Sequence, residues 1–263
     1  MSAPLLEIDS LSVRFGGLAA LSNVSFLVAD GVVHGLIGPN GAGKTTAFNV
    51  ISGLTQQSSG SIRLSGVALD GLPTFERSRR GLARTFQNIR IFREMTVLEN
   101  VMAGAHLRIK GGIAAVLLRL PDFCKSERAA VDHAREILSL VGLADQAGRR
   151  GGHLPYGDQR RLEIARALAS EPKLLMLDEP AAGMNPSESA RLVELLIRLR
   201  ERGLTLLLVE HDMHFVMRLC NRITVLNFGV KIAEGTPIEV RRDPTVIAAY
   251  LGAKVARSLE MKS

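Results

Sequence analysis

The residues best suited to chemistry form one short stretch, Gly38-Pro39-Asn40-Gly41-Ala42-Gly43-Lys44-Thr45-Thr46. Gly38, Gly43, Lys44 and Thr45 fit the phosphate-loop spacing of glycine, four residues, glycine, lysine and a hydroxyl residue. A triphosphate needs many donors converging on one small concavity. Backbone N–H groups supply them when the chain curls tightly with little side chain in the way, as glycines permit. A helix beginning near Gly43 would aim its positive end at the same point. Lys44 adds a charge for the β- and γ-phosphates, and Thr45 a hydroxyl for Mg²⁺. A second chemical group lies far along the chain. Leu174-Leu175-Met176-Leu177 is an apolar run that ends on Asp178-Glu179. A buried strand there would deliver two carboxylates at its C-terminal end, where ligands sit in open α/β sheets. Asp178 can anchor Mg²⁺, and Glu179 can orient or deprotonate an attacking water.

The elements that must hold these groups follow from pattern. Val33 to Ile37 reads as a short buried strand and Lys44 to Ile51 as the helix after the loop. Residues 5–15 and 24–28 read as earlier strands, Ser58-Ser59-Gly60 as a turn, and Ser61 to Leu64 as a strand. From Thr96 to Val141 the periodicity is helical, broken at Gly111-Gly112 and Pro121, with Ser126 as a helix cap. Lys173 to Leu177 is a strand. Asn185-Pro186 opens a helix with Glu188 at the capping-box position and Leu192, Leu195, Leu196 and Leu199 as its buried stripe. Thr205 to Val209 and Arg222 to Leu226 are further strands. Alternating strands and helices imply a largely parallel sheet covered on both faces.

The 263 residues suffice for one large domain. A hydrophobic share of 46% and a charged share of 22% are those of an ordinary folded chain. No apolar run reaches the roughly 18 residues of a membrane span, and the first residues lack the pattern of a signal peptide. Cys124 and Cys220 have neither metal nor disulfide spacing, which together with the start points to the cytosol. The net charge of +7 suits an anionic partner. Aromatics make up 4% and tryptophan is absent, which argues against a base-stacking surface for nucleic acid. The arginines at 77, 79, 80, 84, 90 and 93 read either as a solvated face or as a surface that meets an anionic or membrane-bound partner. His211 and His214 are three apart, whereas zincin motifs place two histidines four apart with glutamate between, so zinc is not expected. His34, His106, His133 and His153 are isolated and read as ordinary packed or surface residues. Met213 and Met217 read as helix core.

Further segments, in this order, resemble the ATP-binding cassette (ABC) ATPases. Arg84-Thr85-Phe86-Gln87 is similar to the glutamine loop, and Leu154-Pro155-Tyr156-Gly157-Asp158-Gln159-Arg160-Arg161 to the signature motif before a helix at Leu162 to Ala169. Ala181 to Pro186 occupies the D-loop position, and Val209-Glu210-His211-Asp212 resembles the histidine switch. Lys44 and Asp178 are 134 residues apart, which suits the helical sub-domain this family inserts there. Residues 13–18, 88–97, 156–165, 181–186 and 246–252 look like those of ATP-binding subunits of bacterial branched-chain amino acid importers.

The resemblance implies an α/β fold: a RecA-like mixed-sheet core, an N-terminal antiparallel β part and an inserted helical sub-domain. It divides the chain into a catalytic core at 1–90 and 166–252, helices at about 91–165 and a tail at 253–263. It implies an ATPase that powers an importer, with ATP and Mg²⁺ as cofactors. Glu179, His211 and Gln87 would be catalytic. Phe15 and the loop Gly38, Pro39, Asn40, Gly41, Ala42, Gly43, Lys44, Thr45 and Thr46 would bind nucleotide, Phe15 by stacking on adenine. Thr45, Gln87 and Asp178 would hold metal, and His211 would touch the γ-phosphate. Two ATPase chains would pair head to tail, identical or sisters, so that Tyr156, Gly157, Asp158 and Asn185 meet the other chain's ATP. The expected partners are membrane permease subunits and, indirectly, a periplasmic or extracellular substrate-binding protein, with the ATPase peripheral on the cytoplasmic face of the inner membrane. Pro155 and Tyr156 replace the usual serine and glycine of the signature, and Asn185 the usual aspartate of the D-loop. The same engine could serve amides, urea or lipid export. A soluble ABC ATPase acting on DNA or ribosomes is a further alternative, which the single cassette and the lack of a heptad run disfavour.

Overall fold

A computed structural model describes residues 4–105 and 121–250, with side chains from 128 onward in the second segment. Two sheets carry the fold. The first is antiparallel: β2 (Leu18–Ala29), β1 (Pro4–Phe15), β4 (Ser59–Leu64) and β5 (Val67–Ala68), in that order. The second runs β10 (Val230–Gly235), β9 (Arg222–Asn227), β3 (Val33–Ile37), β8 (Thr205–Val209), β7 (Leu174–Asp178), β6 (Leu82–Arg84). Its strands are parallel except β10, which pairs antiparallel with β9. This is the α/β mixed-sheet architecture expected above.

The apolar runs have a direct cause. Every residue of β3, β7 and β8 is buried, because both faces of the central sheet are covered. Alternation then assigns the faces. Leu174, Met176, Leu207 and Val209 pack with the antiparallel sheet and with α1 (Lys44–Ile51). Leu175, Leu177, Leu206 and Leu208 pack with α6 (Pro186–Glu201), α7 (Met213–Leu219) and the helices between β6 and β7. Those helices are α3 (Val97–Gly104), α4 (Pro121–Leu140) and α5 (Tyr156–Leu168), while α2 (Thr74–Arg79) precedes β6 and α8 (Pro237–Arg242) follows β10. Residues 244–250 are helical. Among the described residues no helix is long and apolar enough to cross a membrane.

Caps set several boundaries. Asn185 accepts the Glu188 N–H at 2.9 Å while the Glu188 carboxylate accepts the Asn185 N–H at 3.0 Å, the capping box expected from sequence. Thr96 and Glu99 form the same device ahead of α3. Elsewhere the structure departs from the periodicity. Ser59 and Gly60 belong to β4 rather than to a turn, since pairing to β1 extends to Ser59. Strand β7 begins at Leu174, not Lys173. Ser126 lies inside α4, which starts at Pro121, a residue suited to a first helical turn. Helix α5 starts at Tyr156 rather than Leu162, with Pro155 in the cap position, so Gly157 lies within the first turn. The arginine run divides. Arg79, Arg80, Arg90 and Arg93 are exposed, but Arg77 is buried and donates to the carbonyls of Val50, Ile51 and Leu72, satisfying the end of α1. Gly111-Gly112, His106, Leu251-Gly252 and the tail 253–263 lie outside the described residues, as does the side chain of Cys124.

Candidate functional site

Four adjacent parallel strands, β3, β8, β7 and β6, end on the same side, and the loops after them carry the candidate residues. Sequence separation is therefore irrelevant to proximity. Pairing of Asp178 with Val209 brings the acids after β7 beside the histidine after β8.

Gly38 follows β3 so closely under β9 that a Cβ there would stand 2.1 Å from the Leu226 carbonyl oxygen. Gly43 has φ 100° and supplies no side chain to α1, whose first turn also lacks an acidic residue. The first N–H groups of α1 thus keep their demand for an acceptor, and the helix end stays positive. Lys44 is buried, and its Nζ donates to the carbonyls of Gly38 at 2.7 Å and Pro39 at 3.0 Å. Burial holds its pKa below the usual lysine value, opposed by the Glu179 and Asp178 carboxylates. Thr45 is exposed at the same helix end.

Asp178 is buried at the tip of β7, and its Oδ2 accepts from Arg84 Nη2 at 2.7 Å. Glu179 turns the chain out of the strand with φ 46°, and its N–H donates to the Val209 carbonyl at 3.0 Å. A left-handed conformation is costly for a residue with a Cβ and recurs where a side chain must be aimed. The Glu179 Oε2 accepts from Gln87 Nε2 at 3.0 Å and lies 3.8 Å from His211 Nδ1. Three of the expected residues thus meet through one carboxylate oxygen, on the sheet edge shared with Lys44. Thr45, Asp178 and Gln87 would offer oxygen ligands only, and no hydrogen bond from a described residue occupies Asp178 Oδ1 or Thr45 Oγ1. Such a set fits Mg²⁺, a hard cation that retains several waters.

Other expected residues stand apart from this centre. Phe15 is exposed near the end of β1, and its pairing partner Leu18 begins β2. Tyr156 donates to the Ala182 carbonyl at 2.9 Å, so the signature segment and the D-loop segment touch within one chain. Gly157 is buried against α6, where a Cβ would stand 2.9 Å from Glu188 Oε1. Asp158 pairs with Arg161, and Asn185 spends its side-chain oxygen on capping α6. His214 is exposed at the start of α7, its N–H on Asp212.

Sequence reading assigned no role to Glu210, Arg160 or Glu163, and it counted Arg84 with the arginines of a solvated or partner-facing surface, whereas that side chain is enclosed and paired with Asp178. Glu210 is buried and accepts N–H bonds from Ala181 at 2.8 Å and His211 at 3.2 Å, joining the loops after β7 and β8. Burial pushes its carboxyl pKa up. A charged residue directly after the apolar run Leu206 to Val209 was the available signal for Glu210. For the arginines only acceptors tens of residues away reveal the role, Asp178 for Arg84 and the Phe86 and Gln87 carbonyls for Arg160.

Comparison with known proteins gives the family. A family model described as ABC transporter matches residues 21–182, and one described as branched-chain amino acid ATP-binding cassette transporter matches residues 230–256. The chain is 49% identical over 253 residues to the high-affinity branched-chain amino acid transport ATP-binding protein LivG of Salmonella typhimurium, covering 96% of this chain and 99% of that one. It is 48% identical over 253 residues to BraF of Pseudomonas aeruginosa, a protein of the same description, with coverage of 96% and 99%. Among solved structures it resembles the ADP conformation of MJ1267, an ATP-binding cassette of an ABC transporter, with TM-score 0.84, 32% identity and coverage of 95% and 100%. It also resembles the dimeric structure of MJ0796, a bacterial ABC transporter cassette, with TM-score 0.74, 25% identity and coverage of 88% and 98%.

Proposed function

The chain belongs to the ABC transporter family, and we propose that it is the ATP-hydrolysing subunit of an importer of branched-chain amino acids. The observation that carries the ATPase reading is the meeting of Gln87, Glu179 and His211 at one carboxylate oxygen, beside the uncapped N-terminus of α1, while the cargo rests on the likeness to LivG. Gly38 to Thr46 wrap the phosphates, and Lys44 leaves the loop carbonyls for the β- and γ-phosphate oxygens. Phe15 offers its ring to adenine. Thr45, Asp178 and Gln87 would hold Mg²⁺, which would supply positive charge against the charge that develops on the phosphate oxygens. Glu179 accepts a proton from the attacking water, which Gln87 helps to orient. His211, 60% exposed in its side chain, turns toward the γ-phosphate.

Pairing with a second ATPase chain completes the site, and the dimeric MJ0796 cassette supports this. Tyr156, Gly157, Asp158 and Asn185 face the partner's nucleotide. Because Asn185 is committed to its cap and Pro155 has no N–H, the trans contact falls to the backbone at the start of α5. Residues 91–165 act as the helical sub-domain on a core of 1–90 and 166–252. A cleft of about 740 Å³ between the two, lined by Leu54, Phe86, Arg90, Phe92 and Arg166, receives the permease. The ATPase then works on the cytoplasmic face of the membrane, fed indirectly by a substrate-binding protein outside. Phosphate release by the purified complex, together with uptake of leucine, isoleucine and valine that is lost on deletion of the gene, tests the proposal. Uptake of all three unaffected by deletion refutes the cargo, and absence of nucleotide binding refutes the engine.

A further inference from the structure

Two of the most deeply enclosed charges of the described chain lie together on α5. Arg160 is 0% exposed, and Glu163, one turn further along α5, is 1% exposed. The guanidinium donates to Glu163 Oε2 at 2.9 Å, to the Phe86 carbonyl at 2.7 Å and to the Gln87 carbonyl at 2.8 Å. The other oxygen of Glu163 accepts the Arg90 N–H at 3.1 Å and, at 3.5 Å, the Phe86 N–H. One ion pair on α5 therefore holds the backbone on both sides of the Gln87 side chain. The Phe86 ring adds to the clamp, with the guanidinium carbons of Arg90 at 4.1 Å and Arg84 at 5.2 Å from its centre.

A buried ion pair is weak evidence for stability, since apolar packing of equal volume often serves as well or better. What it does supply is geometry: a planar fork with several fixed donors admits few arrangements, and water does not compete. We infer that Arg160 is a positioning residue for Gln87, clamping the segment 86–90 to α5 so that the two move as one body. The inference rests on the roles of Gln87 and Glu179 proposed above and deepens them. Helix α5 begins at Tyr156 and Gly157, where the partner's nucleotide is to be met. A shift of that helix is carried through Arg160 to the Gln87 backbone, and from the Gln87 amide to Glu179 Oε2 at 3.0 Å. Occupation of one nucleotide site thereby adjusts the water-activating carboxylate of the other.

The test is a double-mutant cycle on the full-length chain in its purified complex, with Arg160→Lys, Gln87→Ala and the double variant. Lysine keeps the charge but cannot fork to two carbonyls and a carboxylate at once. Arg160→Lys is expected to lower kcat about tenfold with KM for ATP within about twofold, and to cost less than about twofold once Gln87 is already alanine. Equal losses in both backgrounds overturn the inference, because a merely structural role is additive. Amide hydrogen exchange gives a readout independent of turnover. The amides of residues 86–90 are expected to exchange about tenfold faster in Arg160→Lys while α1 is unchanged. Unaltered protection of 86–90 also overturns it. Should Arg160→Lys fail to fold, Glu163→Gln, which keeps the shape and one acceptor, is put through the same two measurements. A wild-type complex that does not hydrolyse ATP sinks the ATPase reading, whereas the exchange experiment still decides the clamp.

Discussion

Arg84 Nη2 donates to Asp178 Oδ2 over 2.7 Å, with the two side chains only 6% and 8% exposed. The same guanidinium reaches Asn49 Oδ1 on α1 at 2.9 Å and Ser52 Oγ, in the cap position just after it, at 2.8 Å, and lies 5.6 Å from the centre of the Phe48 ring. One arginine thus ties the strand before Gln87, the helix after the phosphate loop and the carboxylate assigned to Mg²⁺. Asp178 is left with a single oxygen to offer outward.

Replacing Arg84 by methionine preserves bulk between Phe48 and Phe86 but leaves Asp178 as an enclosed, unpaired charge. The expected cost is about 3–5 kcal/mol of stability. Urea unfolding of the isolated chain checks this, and a loss below about 1 kcal/mol would mean that Asp178 finds another cation.

Glu179→Gln keeps the side-chain shape and the contact with Gln87 but removes the proton acceptor. Hydrolysis is expected to fall by about 10²-fold or more while ATP still binds. Phosphate release and binding of a fluorescent ATP analogue are measured side by side. Undiminished turnover takes the general-base role from Glu179.

Lys44 needs no rearrangement of the fold to reach phosphate, only the exchange of two carbonyl acceptors for phosphate oxygens. Lys44→Ala removes charge-assisted bonds of about 1.5–3 kcal/mol, so ATP affinity should drop by about ten- to a hundredfold. An unchanged dissociation constant contradicts the phosphate-loop assignment.

His34 titrates against folding. It is buried in β3 with Nε2 2.9 Å from Thr224 Oγ1, and burial lowers its pKa from 6.5 to about 4. The unfolded chain therefore takes up the proton first as the pH falls, and stability drains away between pH 6.5 and 4. The loss is up to about 3 kcal/mol. Thermal melts across that range should show a steeper acid decline in the wild type than in His34→Gln. Parallel curves for the two exclude His34 as the cause.

Gly104 brings α3 against α5, where a Cβ would stand 2.0 Å from the Arg166 carbonyl oxygen. Gly104→Ala, which elsewhere favours a helix, is expected to destabilise by about 1–3 kcal/mol through forced separation of the helices. A melting temperature equal to or above that of the wild type would show that the two helices separate without cost.

What could be read from the residues alone was whatever depends on near neighbours. The phosphate loop, the acids at the end of an apolar run, and the Asn185–Glu188 cap are local devices, complete within a few positions, and all three stand in the structure as spaced. The alternating strands and helices likewise foretold a sheet covered on both faces. Periodicity misled where long-range contacts outweighed local preference, as at Ser59, which pairs with Ser12 of β1. The arginines divided by partner rather than by type, since a guanidinium looks the same in sequence whether solvated or enclosed. Arg84 and Asp178 are 94 positions apart, and Arg160 and Phe86 are 74 apart. Their bonds exist because β6, β7, β8 and β3 line up in that spatial order with their loops on one side. Strand order is a property of global packing. No spacing within the chain encodes it, so it is the tertiary structure that decides which distant charges share a boundary closed to water.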